Sequence, residues 1–412
     1  MSPPHTTDST TPHASLAPLR RALTEHRRRL WGLCYRMAGS GDDADDWLQD
    51  SCERALRNPP ADLERDLGPW LTRVTINVCR DRLRRRKQRG YAGPWLPGPL
   101  ETTTLQTLIE ASPSPEARYG QLESVSLSFL QLLEALTENE RAVLILRDVM
   151  GQTVQEAATA LTLSPATIKT TLHRARRKLQ SLQHEQRLLP SYAPTQKQRT
   201  AQQQALYALL LHLCAGNLAA LQEFVSADIV CLNDGAGRYV AARRPIVGLP
   251  KVALFNRRIA RPLRWIRPCE LNGTPALMFE LVQGPPRTPK RGVVWIDLNA
   301  DLQVRKMYAL VADEKLRHLT WRPATAGENF QTCMQLIAAA LTWNPATTAP
   351  AGTPQRRLNQ LGNSAVTHLT PFARERLRKL SQSVRRTLQT RIPLPAFFRS
   401  KPQTAARPQR RR

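Results

Sequence analysis

The chain has 412 residues, 41% of them hydrophobic, and its 60 Lys and Arg against 33 Asp and Glu give a net charge of +27. That length exceeds one ordinary domain and fits two or three with linkers, and so large a positive excess points to a polyanionic partner such as nucleic acid. The sequence lacks the run of about 18 apolar residues that a membrane-spanning helix needs, and its seven scattered cysteines form no C-x-x-C pair, which argues for reduced thiols in a cytoplasmic protein rather than a zinc site or disulfide framework.

Residues 1–15 are rich in Ser, Thr, Pro and His and read as a disordered lead without the layout of a signal peptide. From 19 to 37, Leu19, Leu23, Leu30, Leu33 and Met37 recur close to a helical period. A second helix over 42–56 gathers Ala44, Trp47, Leu48, Ala55 and Leu56 on one face and opens with Asp42, Asp43, Asp45 and Asp46. Acids in a first turn suit the helix dipole, so stability alone accounts for some of them. Pro69 starts a third helix with Trp70, Leu71, Val74 and Val78 on one side, and it ends in a run of cations from Arg80 to Arg89. Residues 16–92 thus form an all-α block, and Pro94, Pro97, Pro99, Pro113 and Pro115 make 93–120 a linker without a helix.

A second helical block spans 121–188. Thr137 with Glu140 and Thr153 with Glu156 have capping-box spacing, and Ser164-Pro165 is a strong helix start after the short turn at 161–163. Ile168, Leu172, Ala175 and Leu179 form a buried stripe, and the opposite face presents Ala166, Thr167, Lys169, Thr170, His173, Arg174, Arg176 and Arg177. That is the layout of a helix-turn-helix. Recognition helices put early residues on base edges and flanking cations on phosphates, so Thr167, Lys169, Thr170 and His173 are expected at bases and Arg174, Arg176, Arg177 and Lys178 at the backbone.

Beyond about 198 the texture changes. Asn272-Gly273 and 299–301 each separate two β-prone runs, which predicts two hairpins in an α+β domain over 198–322 with a mostly antiparallel sheet. Residues 323–412 hold 15 Lys and Arg against two acids, a basic tail in which 330–343 and 373–388 have helical character. His212, Asp228, Asp234 and Asp297 are the acid–base candidates of the third domain, and no spacing singles them out; Asp234 sits in a turn, where an Asx-turn suffices. No catalytic, metal or cofactor residue is therefore expected, and the chain is read as a non-enzyme.

Two segments carry a family resemblance. The stretch LTENERAVLILRDVMG (136–151) and the following 151–179 resemble the last conserved region of bacterial sigma factors. YRMAGSGDDADDWLQDSCERAL (35–56) resembles the core-polymerase-binding helices of the first sigma domain, and PWLTRVTINVCRDRLRRR (69–86) the segment that opens and reads the −10 promoter element. The resemblance is to the extracytoplasmic-function group, which keeps only these two domains. It implies that Asp42, Asp43, Asp45, Asp46, Gln49 and Asp50 face the β′ subunit of core RNA polymerase, that Thr75, Asn77, Arg80, Asp81, Arg82 and Arg85 meet the −10 DNA, and that the helix-turn-helix reads the −35 element.

Within that group one subgroup carries a C-terminal SnoaL-like domain, a conical sheet covered by helices. Trp95-Leu96-Pro97-Gly98-Pro99 resembles its linker motif, with Gly98 where an acid is usual; 233–238 (NDGAGR) resembles its Asp-Gly-Gly-Gly-Lys loop, with Ala236 and Arg238 as departures; and 311–316 (VADEKL) resembles its Asn-Pro-Asp-Lys-Leu segment. The implied regulatory set is Trp95, Leu96, Pro97, Asp234, Gly235 and Arg238, with the domain folding back on the linker or holding a small ligand. A polymerase-independent helix-turn-helix regulator and a SnoaL-like enzyme with a DNA-binding module are the alternatives. The acidic helix speaks against the first.

Overall fold

A computed structural model describes residues 16–108, 123–186 and 196–342. The lead before 16, the helix expected at 373–388 and most of the basic tail lie outside them.

Four helices build the first block: α1 (Ala17–Glu25), α2 (Arg27–Ala38), α3 (Gly41–Arg57) and α4 (Gly68–Arg89). The α2–α3 turn depends on Gly39, at φ +72°, where a Cβ would stand 2.5 Å from the Trp95 ring. Only glycine combines that backbone with so close an approach. The stretch expected to be a helix-free linker contains α5 (Thr102–Leu108), so Pro94, Pro97 and Pro99 precede a helix without preventing it. The second block holds α6 (Leu127–Leu133), α7 (Glu138–Leu144) continuing into a π-helical turn (Ile145–Val149), α8 (Val154–Leu161) and α9 (Pro165–Gln186).

The two blocks share one core, which runs without a break from Leu19 through Leu83, Leu105 and Leu133 to Leu179. Arg141 stands at its centre, 0% exposed. Its guanidinium donates to Met37 O (2.7 Å), Leu133 O (2.6 and 3.1 Å) and Glu134 Oε1 (2.6 Å). A buried charge is tolerated only with partners of this kind. Burial by itself would raise the Glu134 carboxyl, but Arg141 and Arg86 outweigh it and hold the group below its usual range.

The third unit is a mixed sheet of six strands in the order β2-β1-β6-β5-β4-β3: β1 (Val225–Asp234), β2 (Ile246–Val247), β3 (Leu263–Leu271), β4 (Thr274–Leu281), β5 (Arg291–Leu298) and β6 (Val304–Leu310). Both expected hairpins form, and every pairing but the parallel β1–β6 is antiparallel. Asn272 takes the left-handed conformation at φ +51° that the first turn requires.

Successive strand residues serve opposite faces. Val294, Ile296, Leu298 and Met307 pack under α10 (Gln196–Ala215), α12 (Leu249–Ile259) and α13 (Ala326–Thr342), with the short α11 (Leu218–Phe224) beside them. Val293, Trp295, Tyr308 and Leu310 form a separate core with Leu96, Leu127, Leu316 and Leu319. The sheet thus has a helix-covered back and a front that packs on the linker and the helical blocks. Helix α13 falls in the stretch read as tail, yet its Leu336 and Ala339 complete the back core. The third domain therefore extends past 322, because its apolar face is buried only when that helix is present.

Candidate nucleic-acid and polymerase interfaces

The helix-turn-helix is built as its sequence dictates. Thr153 caps α8 by accepting from Glu156 N at 3.2 Å, while the Glu156 carboxylate accepts from Thr153 N at 2.7 Å. The turn passes through Thr162 at φ +56°, and Ser164 Oγ accepts from Thr167 N at 3.1 Å to start α9. Ile168, Leu172, Ala175 and Leu179 are buried, whereas Ala166, Thr167, Lys169, Thr170, His173, Arg174, Arg176 and Arg177 are all exposed. Of the expected phosphate contacts, Arg176 is already spent: its guanidinium is bidentate to Asp148 at 2.6 and 2.9 Å, which braces α9 on the π-helical turn. Lys169, Arg174 and Arg177 have no acidic partner among the described residues.

The basic helix α4 is in a different situation. Asn77 donates to Ala160 O at 3.2 Å. Arg80 donates to Leu161 O at 3.2 Å and to Asn139 Oδ1 at 2.9 Å. All three partners of these bonds belong to the second helical block, so the face expected to meet the −10 DNA is covered by it. Arg82 is paired with Asp50 at 2.6 Å and Asp81 with Arg54 at 3.6 Å. Arg85 is exposed.

Thr75 corrects the sequence reading: it is 1% exposed and belongs to the core, because it lies on the same helical face as Leu71, Thr72 and Cys79 rather than on that of Arg80. Arg86, within the run of cations that ends the helix, is also structural. It donates to Ala38 O (2.6 Å) and Glu134 (2.8 Å) and stacks over Trp95 at 4.9 Å.

The acidic face of α3 is partly occupied. Asp45 accepts from Trp31 Nε1 at 2.7 Å and lies 3.2 Å from His318 Nε2, which is also 3.7 Å from Asp42. Asp43 is near Arg86 at 3.5 Å. Burial raises the Asp42 carboxyl, and with it that of Asp43. Asp46 and Gln49 remain exposed beside a cleft of about 460 Å³ that Asp43, Asp50, Arg82, Arg85 and Arg89 also line. His318 was not singled out in the sequence. It follows the segment resembling Asn-Pro-Asp-Lys-Leu, and that proximity was the only signal.

The linker is held by two clamps. In the first, Asp234 and Lys315 form an ion pair of 2.8 Å inside the protein, at 1% and 8% exposure. Together they grip one residue of the linker: Leu96 N donates to Asp234 Oδ2 (2.9 Å), and Lys315 Nζ donates to Leu96 O (2.7 Å). Tyr91 OH donates to the other Asp234 oxygen at 2.6 Å, and Lys315 Nζ lies 4.5 and 4.3 Å from the ring centres of Tyr91 and Trp95. Desolvation lowers the Lys315 ammonium, and Asp234 opposes that shift. Asp234 does make the expected Asx-turn, accepting from Ala236 N at 3.0 Å, but it does much more.

The second clamp is Asn272, read in the sequence only as a hairpin turn. Its amide oxygen accepts from Leu100 N (2.8 Å), and its amide nitrogen donates to Tyr35 OH (2.8 Å) and Val125 O (2.6 Å). One side chain thus joins the sheet, the linker, α2 and the second block.

Of the regulatory set, Trp95 is half-buried, Leu96 and Pro97 are buried, and Gly235 packs tightly, since a Cβ there would stand 3.0 Å from Ala241 Cβ and 3.1 Å from Tyr239 O. Arg238 departs from the expectation. Its side chain is 71% exposed and 3.8 Å from Glu314.

The four acid–base candidates of the third domain are not brought together. Asp297 accepts from Tyr308 (2.6 Å) on the front of the sheet, Asp234 is in the clamp, Asp228 pairs with Arg305 (3.3 Å) near the surface, and His212 is buried beside Phe224. Among the described residues no group of three or more His, Cys, Asp or Glu could hold a metal ion, and no helix is long and apolar enough to cross a membrane.

Residues 22–89 match the family model for sigma-70 region 2, and 126–179 that for sigma-70 region 4. The chain is 28% identical over 270 residues to a probable ECF RNA polymerase sigma factor, SigI, of Mycobacterium tuberculosis, spanning 59% of this chain and 87% of that protein. It is 30% identical over 158 residues to the ECF RNA polymerase sigma factor SigM of the same species, spanning 38% of this chain and 72% of that one. The crystal structure of the extracytoplasmic-function sigma factor SigJ of M. tuberculosis matches with a TM-score of 0.50 at 21% identity, covering 72% of this chain and 97% of that one, which extends the shared fold into the sheet domain. The chain belongs to the extracytoplasmic-function sigma factors of RNA polymerase.

Proposed function

We propose that this chain is a sigma factor held closed by its own C-terminal domain. In the open form α3 docks on the β′ subunit of core polymerase through Asp42, Asp43, Asp45, Asp46, Gln49 and Asp50, where unlike charges steer the encounter and fix its register. Thr167, Lys169, Thr170 and His173 read −35 base edges from the major groove, with Arg174 and Arg177 on phosphates. Asn77, Arg80, Arg82 and Arg85 hold the opened −10 strand. The third domain, a SnoaL-like module, acts on the other two through the linker.

One observation carries this reading. Asn77 and Arg80, the polar groups of α4 best suited to DNA, are hydrogen-bonded to the backbone of α8, and Asp42 and Asp45 face His318. Promoter and polymerase must displace protein contacts before they engage. The buried Asp234–Lys315 pair on Leu96 stabilises that state, since separating such a pair strands a charge in the interior.

Run-off transcription with core polymerase tests it, comparing the full chain, a truncation after 188 and Lys315→Ala. The closed reading expects both variants to exceed the full chain in core binding or transcript yield. Equal output from all three overturns modulation by the third domain, and no core-dependent transcript from any of them overturns the assigned polymerase and promoter contacts.

A further inference from the structure

The back of the sheet encloses a cavity of about 310 Å³, a size typical of small-ligand sites. Phe279, Val294 and Met307 form its floor, and Leu213 and Leu336 close it from α10 and α13. Two amide side chains reach it, but their nitrogens are already used: Asn256 donates to Val252 O at 2.9 Å and Asn233 to Cys231 Sγ at 3.3 Å. The interior therefore suits a hydrocarbon or aromatic body.

Its rim has a different character. Arg258 and Arg261 line it and have no acidic partner among the described residues, and no Asp or Glu lines the cavity. Beside them Val240 and Ile259 are 60% and 37% exposed, which is unusual for apolar side chains grouped at one opening. None of His212, Asp228, Asp234 and Asp297 lines the cavity. It offers a place to bind and no acid or base to react.

We propose that this cavity binds an amphipathic organic anion, with a medium-length apolar body inside and a single carboxylate at Arg258 and Arg261. Hydrocarbon burial supplies most of the affinity, and the guanidinium pair selects the charged head.

Decanoate is the probe, titrated calorimetrically into the full-length chain, with 1-decanol as its neutral counterpart. The expected result is one saturable site per chain, at least about tenfold weaker for the alcohol and for the double charge reversal Arg258→Glu/Arg261→Glu. Both arginines are on the surface, so this variant should keep the parent's melting temperature. Ala309→Phe, which projects a ring into the cavity, should abolish the site. Absence of saturable binding overturns the proposal. So does binding indifferent to both variants, which would place decanoate on the basic tail or another surface. These readouts involve neither polymerase nor DNA, so they stand or fall independently of the closed-state reading.

Discussion

Helices α4 and α9 are both basic and belong to the two sigma regions, yet they sit in opposite circumstances. The polar face of α9 opens to solvent, with Lys169, Arg174 and Arg177 unpaired by acids. That of α4 is engaged: Asn77 and Arg80 bond α8, Arg82 pairs with Asp50, and Arg86 is fixed between Ala38, Glu134 and Trp95. Basic composition alone therefore does not define a nucleic-acid surface. What matters is whether the cations have already found acceptors within the protein. In the proposed closed state, this contrast leaves −35 recognition available and makes −10 recognition conditional on opening.

The largest test acts on the core that holds the two blocks together. Arg141→Ala should cost about 3–5 kcal/mol in urea unfolding, since it leaves buried carbonyls and Glu134 without their donor. A loss below about 1 kcal/mol would break the idea that this core fixes the cover over α4. Next is the linker clamp. Lys315→Met strands the buried Asp234 and should cost about 3 kcal/mol, most of it recovered by the double variant Asp234→Leu/Lys315→Met. If the single and double variants are equally unstable, the pair is not the fastening that keeps α4 covered.

On the open side, Thr170→Ala should lose about 1–2 kcal/mol of discrimination between −35 sequences, whereas Arg177→Ala should weaken all duplexes alike and lower the log-salt slope by about 1. In the same duplex assay Arg80→Ala is expected to change nothing. A matching loss there would erase the contrast between the two helices.

The smallest effect is in pH. Glu134 titrates below its ordinary 4.5 in the folded chain, so its contribution is present above that value and fades as pH falls through the lower, folded one. The stability gap between the parent and Glu134→Gln, about 1 kcal/mol or less for a partly exposed group, should narrow in that acid window. A gap that widens on acidification would show that Glu134 is not held by Arg141 and Arg86.

Local chemistry was legible in the sequence. Both capping boxes, the Ser164 cap, the stripe from Ile168 to Leu179 and the Asn272-Gly273 hairpin follow from contacts between residues a few positions apart, which residue type and spacing specify directly. The exposed face of α9 was legible for the same reason, because a helical stripe fixes which residues stay outside.

The tertiary structure decided everything that depends on distant partners. Thr75 and Arg80 lie on one helix and look equally suited to DNA, but one is core and the other is bonded to a helix some eighty positions away. Asp234 reads as a turn residue until Lys315 and Leu96 meet it, and Asn272 as a hairpin corner until Tyr35, Leu100 and Val125 converge on it. The helix at 326–342 reads as tail until it is seen to complete the apolar back of the sheet. Burial and the pairing of polar groups are properties of the packed chain, since a side chain's partners there depend on which other segments arrive beside it. The sequence by itself determined that this protein reads DNA; only the packing decided which of its DNA-facing residues are free to do so.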